Sequence, residues 1–209
     1  FRYMNELFTS EQFAENKLFV RVLSAVNDQI SIINNSVRRA IFGQNADQLE
    51  VGDILMGYDN VTSGRKDAPG IINSGDYEVM SVRPYKAQIK ISTNGDHNRT
   101  RGITIDAYDV VLSNIMDRDA ETSIAIASNN VPISVASEIT KELELLYRAR
   151  RAAWQSRDHI SYSEIGELIS NIKNSFITMK EYSESGRVKV KKTLDYGYAH
   201  TIHKSQGGT

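Results

Sequence analysis

The residues best suited to chemistry lie in one polar stretch, "HTIHKSQGG", at residues 200–208. Its hydroxyl, imidazole, ammonium and amide groups can all bind phosphate, and its glycine pair lets a ligand approach the backbone closely. These groups belong to Thr201, His203, Lys204, Ser205 and Gln206. The stretch therefore predicts a phosphate-binding turn. It is not a P-loop, which requires G-x-x-x-x-G-K-[ST], and the sequence contains no such motif.

Two histidines in this stretch, His200 and His203, raise the question of a metal site. Residues three apart on a strand point to opposite faces of a sheet, and no third ligand cluster accompanies the pair. We therefore predict no metal site. We also assign no catalytic residue to this chain, because it lacks both a P-loop and a carboxylate that would position Mg²⁺ beside one.

The elements that would position the turn begin near the start of the chain. The apolar run "LFVRVLSAV" at 18–26 predicts a buried strand, and Asn27 or Asp28 can cap a following helix. The helix has one apolar face and a natural stop at Gly43. That face contains Ile30, Ile33, Val37 and Ile41. A strand, a polar turn and a helix form the basic unit of an α/β sheet.

A β-rich region follows from about residue 47 to about 130, where apolar residues alternate and turns such as Asn94-Gly95 recur. Several short strands in this length predict a small closed barrel. Two helices are expected next, the first with an apolar stripe that includes Trp154, for which a core position is favoured over a base-stacking role. The second has Ser161 and Glu164 at capping-box spacing.

The last element before the polar turn is a strand-like stretch, "GRVKVKKTLDYGYAHTI", whose first half alternates basic residues. Such a basic face can follow a phosphate backbone. Its members are Arg187, Lys189 and Lys191. The formal net charge of the 209 residues is −1, so any contact with nucleic acid must depend on local basic patches of this kind.

The composition excludes other classes of protein. The hydrophobic fraction of 40% is typical of a folded domain, and the absence of cysteine excludes disulfides and thiolate metal sites. No uncharged apolar run approaches the roughly 18 residues of a membrane span, so no membrane association is predicted.

The last sixteen residues, "LDYGYAHTIHKSQGGT", resemble motif V of superfamily 1B DNA helicases of the RecD/Dda-like group. The pattern of that motif is roughly Y-A-x-T-x-H-K-[SA]-Q-G-[SG]-T. The residues that match it are Tyr198, Ala199, Thr201, His203, Lys204, Gln206, Gly207 and Thr209. The segment "VRVLSAVNDQISIINNSVRRAIFG" is similar to the motif IV region of the family, although Ala25-Val26 replaces the usual aromatic-Thr pair before Asn27.

The resemblance implies an α/β fold with a β insertion. Residues 1–46 would begin the second RecA-like domain of a helicase, and 187–209 would return to it and end at motif V. The inserted module at 47–186 would contain an SH3-like barrel at about 47–130 and a helical segment at about 134–182. The parallel sheet of the RecA-like domain would therefore be partial, and the first RecA-like domain would precede residue 1.

The resemblance also implies roles for individual residues. Those expected to contact DNA are Thr201, His203, Asn27, Arg99, Arg101, Lys189 and Lys191. Those expected near the nucleotide are Lys204, Gln206, Gly207 and either Arg38 or Arg39, between which the sequence does not choose. The nucleotide would be ATP, with Mg²⁺ held by residues outside this chain.

The parent protein would then be an ATP-dependent DNA helicase, which couples ATP hydrolysis to movement along a single strand and to unwinding of the duplex. Its partners would be single-stranded DNA, duplex junctions and its own first RecA-like domain, in the cytoplasm of a bacterial or phage-infected cell. DNA replication, recombination and repair are the processes that such an enzyme serves. The alternative is a non-enzymatic SH3-like module that binds nucleic acid or a protein.

Overall fold

The computed structural model describes residues 2–62, 70–93, 96–117, 119–184 and 187–202, with side chains described except at 92, 93, 96–100, 183, 184 and 187–189. The chain forms two compact units. The first unit consists of residues 1–83, 110–124 and 193–209, and the second unit consists of residues 84–109 and 125–192.

The chain contains both helices and strands in a mixed order. They are α1 (Arg2–Phe8), α2 (Glu11–Glu15), β1 (Val22–Ser24), α3 (Asn27–Phe42), β2 (Ile54–Gly57), β3 (Asp76–Thr93), β4 (Asp96–Asn114), β5 (Glu121–Ala127), α4 (Ile133–Gln155), α5 (His159–Ser175), β6 (Tyr182–Glu184), β7 (Arg187–Val190), β8 (Leu194–Tyr196) and β9 (Ala199–Thr201).

Three sheets connect these strands. A parallel pair joins β1 to β9, and an antiparallel pair joins β6 to β7. The largest sheet is antiparallel, with the strand order β5-β4-β3-β2-β8. The predicted combination of α/β structure and a β-rich region is therefore confirmed at the level of fold class.

The prediction of a closed barrel at about 47–130 is wrong for the strands that the structure describes. Both edges of β2 are occupied, one by β3 and the other by β8, so β5 has no free edge of β2 on which to close the sheet. The strand β8 comes from residues 194–196, which the sequence pattern placed outside this module. The sheet is therefore open, with β5 and β8 at its edges.

The helix predicted after the first strand is confirmed. The helix α3 covers Asn27–Phe42 and ends at Gly43, whose φ of 93° is one that residues with a side chain rarely adopt. Its inner face buries Ile30 and Val37. The preceding strand is shorter and less buried than expected, because β1 covers only Val22–Ser24 and its central residue Leu23 is exposed.

Two details of the helical region differ from the sequence expectation. The cap of α5 is Asp158, whose carboxylate accepts hydrogen bonds from the backbone N–H and the hydroxyl of Ser161, so Ser161 lies inside the helix and is not its cap. Trp154 is 61% exposed and does not belong to the core, because the inward face of α4 is formed by Ile139, Leu146 and Ala153.

Each unit has its own core. The core of the first unit packs Phe8, Phe13 and Tyr198 edge to face and adds Val37 and Ile54. The core of the second unit joins one face of β3 and β4 to α4 and α5, and its members include Ile89, Ile105, Ile139, Leu146, Ile169, Phe176 and Tyr182. Among the helices that the structure describes, none has the length and apolar character that crossing a bilayer requires.

Candidate functional site

The candidate site lies in the first unit, where the two parallel strands end. In the register of β1 and β9, Leu23 is opposite His200 and Ser24 is opposite Thr201. The carboxyl ends of both strands therefore meet at one edge, and α3 begins at Asn27 directly after β1. Ligands of open α/β sheets bind at such edges, beside the N-terminus of the following helix. Two of the predicted DNA-binding residues, Thr201 and Asn27, are brought to this edge.

The turn between β1 and α3 is closed by the hydroxyl of Ser24. It accepts a hydrogen bond from the backbone N–H of Val26 at 3.1 Å and bonds to the side-chain oxygen of Gln29 at 2.9 Å. The N-cap of α3 is Val26, which has no side-chain acceptor, so the first N–H groups of the helix are not capped by it. Asn27 is exposed on the first turn.

One buried side chain, that of Asn34 on α3, fixes the backbone that leads to Thr201. Its amide oxygen accepts the N–H of Ala199 at 2.7 Å, and its amide nitrogen donates to the carbonyl of Tyr196 at 2.9 Å. Asn34 is only 1% exposed. These bonds satisfy backbone groups on both sides of Gly197 and hold β9 against α3.

A buried ion pair reinforces this connection from the other side. Asp53, which is fully buried, accepts two hydrogen bonds from the guanidinium of Arg38, at 2.8 and 2.7 Å. The same carboxylate accepts the hydroxyl of Tyr198 at 2.9 Å and the N–H of Glu50 at 2.9 Å. Asp53 thus links α3, the turn before β2 and the residue before β9. We call Arg38, Asp53 and Tyr198 the buried triad.

Two tyrosines, Tyr198 of the triad and Tyr196 beside it, are held in the neutral form. Burial raises the pKa of Tyr196 to about 12, although the neighbouring Arg38 guanidinium, 4.3 Å from its ring, opposes this change. Burial and the Asp53 carboxylate both raise the pKa of Tyr198. The Tyr196 hydroxyl donates to the carbonyl of Gln48 at 2.7 Å. Next to β9, two neutral tyrosines therefore lie beside the ion pair of Arg38 and Asp53.

The two arginines proposed for nucleotide contact occupy different environments. Arg38 is 6% exposed, and its Nε and one terminal nitrogen donate hydrogen bonds to the carboxylate of Asp53 and the carbonyl of Asp47. Arg39 is exposed and lines an open groove of about 490 Å³ together with Asn5, Asn35 and Gln44. Both lie near the C-terminal end of α3, so Arg39 is about 18 Å along the helix axis from Asn27 at 1.5 Å per residue.

The remaining predicted site residues belong to the second unit or lie outside the described residues. Arg101 and Lys191 belong to the second unit, where Arg101 is exposed and forms an ion pair with Glu138. Arg99 and Lys189 lie in β4 and β7, with side chains outside the described set. His203, Lys204, Gln206 and Gly207 lie outside the described residues.

Sequence reasoning missed the residues that support the site. Asn34 occurs within an apolar helical pattern, where an amide is unusual unless its hydrogen bonds are satisfied inside the protein, and this was the available signal. Asp53 directly precedes the fully buried strand "ILMG", which was a second signal. Neither signal identifies the partner, because Asn34 bonds to a backbone group 165 residues away and Asp53 to a hydroxyl 145 residues away.

No protein-family model and no curated protein matches the chain.

Proposed function

We propose that the chain is part of the second RecA-like domain of an ATP-dependent DNA helicase, interrupted by an inserted β-rich and helical module. In this proposal β1 and β9 belong to the RecA-like sheet, and α3 is the helix that follows β1 in the same domain. Thr201, His203 and Asn27 face the DNA, while Lys204, Gln206 and Gly207 face the nucleotide. Arg39 is the better placed of the two helix arginines, because the donors of Arg38 are directed to Asp53 and Asp47.

The observation that best supports the proposal is the parallel pairing of β1 with β9. Residues separated by about 175 positions form adjacent strands, and one of these strands, β9, lies within the motif V-like segment. A motor of this kind requires such an arrangement, because the turns that bind phosphate and DNA follow the carboxyl ends of parallel strands. The hydrogen bonds of Asn34 to Ala199 of β9 set the position of Thr201 relative to α3.

The chain by itself is expected to lack ATPase activity. It contains no P-loop, and no group of three or more His, Asp or Glu side chains is placed to hold a metal ion in the part that the structure describes. ATP and Mg²⁺ would therefore be bound mainly by the first RecA-like domain. Closure of two such domains on ATP, and their reopening, would move the strand.

The decisive test is the coding sequence upstream of residue 1. A G-x-x-x-x-G-K-[ST] motif within a few hundred codons of the same reading frame is expected. An open reading frame that begins close to residue 1 and encodes no such motif would overturn the motor assignment.

In the full-length protein, Thr201→Ala is expected to weaken DNA binding more than ATP hydrolysis, and Gln206→Ala the reverse. The reason is that a turn crossing an interdomain cleft presents successive side chains to different ligands. DNA affinity and DNA-stimulated ATPase are measured for both variants, with Gln12→Ala at an exposed position of α2 as a control on the same unit. Equal loss of both activities in both variants would contradict the two-sided assignment.

A second candidate function, that of a binding module, is favoured by a groove in the second unit. The groove has a volume of about 410 Å³, and its walls include Pro84, Tyr85, Tyr108 and Asn130. Aromatic grooves of this composition accept extended peptides or single strands. If the upstream P-loop is absent, retention of peptide or oligonucleotide binding that Tyr85→Ala abolishes would support this alternative.

A further inference from the structure

The last two turns of α4 present a stripe of exposed aromatic and basic side chains. Tyr147, Arg151 and Trp154 are spaced at i, i+4 and i+7, so they lie on one side of the helix. Tyr147 is 49% exposed and Trp154 is 61% exposed. The Cα atoms of the two aromatic residues are about 10 Å apart along the helix axis, and Arg151 lies between them in the helix. We call these three residues the α4 stripe.

The Trp154 ring is supported from behind by α5. Its centroid lies 5.3 Å from the ring of Tyr162 and 6.4 Å from the ring of His159, the latter in a T-shaped arrangement. The guanidinium of Arg150 lies over Tyr162 at 4.3 Å and is close to the backbone at Gly166, where an added Cβ would be 3.2 Å from it. The indole thus contacts two rings of α5, while most of the Trp154 side chain remains in solvent.

The end of α4 and the turn that follows it are rich in arginine. Residues 148–158 contain four arginines and one acidic residue, in a chain whose formal net charge is −1. The acidic residue is Asp158, whose carboxylate caps α5 through Ser161. Arg148, Arg151 and Arg157 are exposed. The tip of the α4–α5 hairpin is therefore suited to a polyanion.

We propose that the α4 stripe binds single-stranded nucleic acid, with a base stacked on Trp154 and phosphates contacted by the exposed arginines. Aromatic side chains beside cations are the usual means of binding single strands without sequence preference, because every base has a π-face. A purely acidic protein partner would use the arginines but would not require an exposed indole. The proposal concerns the second unit alone and does not depend on the helicase assignment.

The experiment uses the intrinsic fluorescence of Trp154, which is the single tryptophan of the chain and therefore reports on this site alone. The 209-residue protein is titrated with an oligothymidylate of about 12 nucleotides, with an abasic oligonucleotide of the same length, and with polyglutamate. Saturable quenching by the oligothymidylate is expected. The abasic strand should bind more weakly and quench little. Polyglutamate should neither bind nor quench the fluorescence at the same ionic strength.

Variants are compared by the anisotropy of a labelled oligothymidylate. Trp154→Leu is expected to weaken binding about tenfold to a hundredfold, which corresponds to the loss of one stacked base. Arg151→Gln should weaken binding and lower the slope of log affinity against log salt by about 0.7. The matched controls are Tyr3→Leu and Arg2→Gln on α1, where the native side chains are also exposed, and they should change neither quantity.

Three results would overturn the proposal. They are absence of quenching by the oligothymidylate, quenching of equal strength by the abasic strand or polyglutamate, and equal losses in the α1 controls. The exposure of Trp154 means that its replacement leaves the core intact, and circular dichroism of each variant verifies this. Because Thr201→Ala lies in the other unit, quenching that persists in that variant separates this site from the motif V-like segment.

Discussion

At the scale of single residues, the most consequential group is the carboxylate of Asp53. It is fully buried, and all four of its described hydrogen bonds come from donors in the first unit. A buried ion pair of this kind adds little net stability compared with apolar residues of the same shape, but removal of one partner leaves the other charge uncompensated. Replacement of either partner alone is therefore expected to lower the free energy of unfolding by more than the net contribution of the ion pair.

Asp53→Asn is expected to lower the free energy of unfolding by about 3–5 kcal/mol, because the Arg38 guanidinium would then be buried without a counter-charge. Urea titration of the purified chain measures this change. The exposed residue Asp119 provides the control, since Asp119→Asn should change stability by less than about 0.5 kcal/mol. A cost for Asp53→Asn as small as that of the control would show that the ion pair is solvated in solution.

The neutral tyrosines of the first unit predict a loss of stability in alkali. The folded-state pKa of Tyr196 is about 12, above its ordinary value of 10.0, so the stability that depends on its neutral form is fully present below pH 10 and is lost as the pH rises towards 12. The free energy of unfolding measured across this range should fall. The decline should be shallower for Tyr196→Phe and unchanged for the exposed control Tyr3→Phe. A decline of equal slope in all three proteins would assign the alkaline transition to other groups.

The residue scale also shows what sequence alone can reveal. The pair Arg38-Arg39 is visible in the sequence, but helical geometry points the two side chains in different directions, and only the position of Asp53 decides which is buried. Likewise Trp154 was expected in the core because it adjoins the apolar stripe of α4, yet it lies one position beyond Ala153 and faces solvent. A rotation of about 100° per residue is enough to reverse the environment of a side chain.

At the scale of elements, the three long helices α3, α4 and α5 were predicted well, whereas α1 and α2 were not predicted and the short strands were predicted poorly. The periodic apolar face and the Gly43 stop determine α3 locally. The stretch from 187 to 201 instead forms three strands, and each has a different partner, since β7 pairs with β6, β8 with β2 and β9 with β1. Local alternation does not encode which partner a strand takes. Pairing across large sequence separations decides where each strand ends.

Close packing of β2 makes one glycine indispensable. A Cβ on Gly57 would lie 2.1 Å from the backbone carbonyl oxygen of Ile72, whereas a Cβ on Gly102 would meet only a side-chain atom of Gln88 at 4.0 Å. Gly57→Ala should therefore destabilise the first unit by about 1–3 kcal/mol or more, because a backbone group must move. Gly102→Ala is the matched control and should be neutral or slightly stabilising. Thermal unfolding of both variants provides the comparison, and equal melting temperatures would show that the 72–75 turn yields without cost.

At the scale of the whole molecule, segments that are far apart in the sequence belong to the same compact unit. The second unit interrupts the first, and β3 and β4 belong partly to each. This continuity explains why the sequence suggested one β module between 47 and 130, when the strands in fact form an open sheet completed by β8. Composition and periodicity predicted the classes of element, but the edge on which β8 pairs depends on residues near position 55.

The bonds of Asn34 to Ala199 and of Asp53 to Tyr198 span 165 and 145 residues, and they therefore have a consequence for synthesis on the ribosome. At about 5–20 residues per second, Asp53 waits roughly 7–30 s for Tyr198 to be made. The segment 125–192 is complete before then, so the second unit is expected to fold first. In nascent chains stalled with residue 192 outside the ribosome and residue 199 still inside, limited proteolysis should cut near α3 and β2 and spare α4 and α5. Protection of α3 at that stage would mean that the first unit acquires its structure without its last strand, and that the final residues join a scaffold that is already formed.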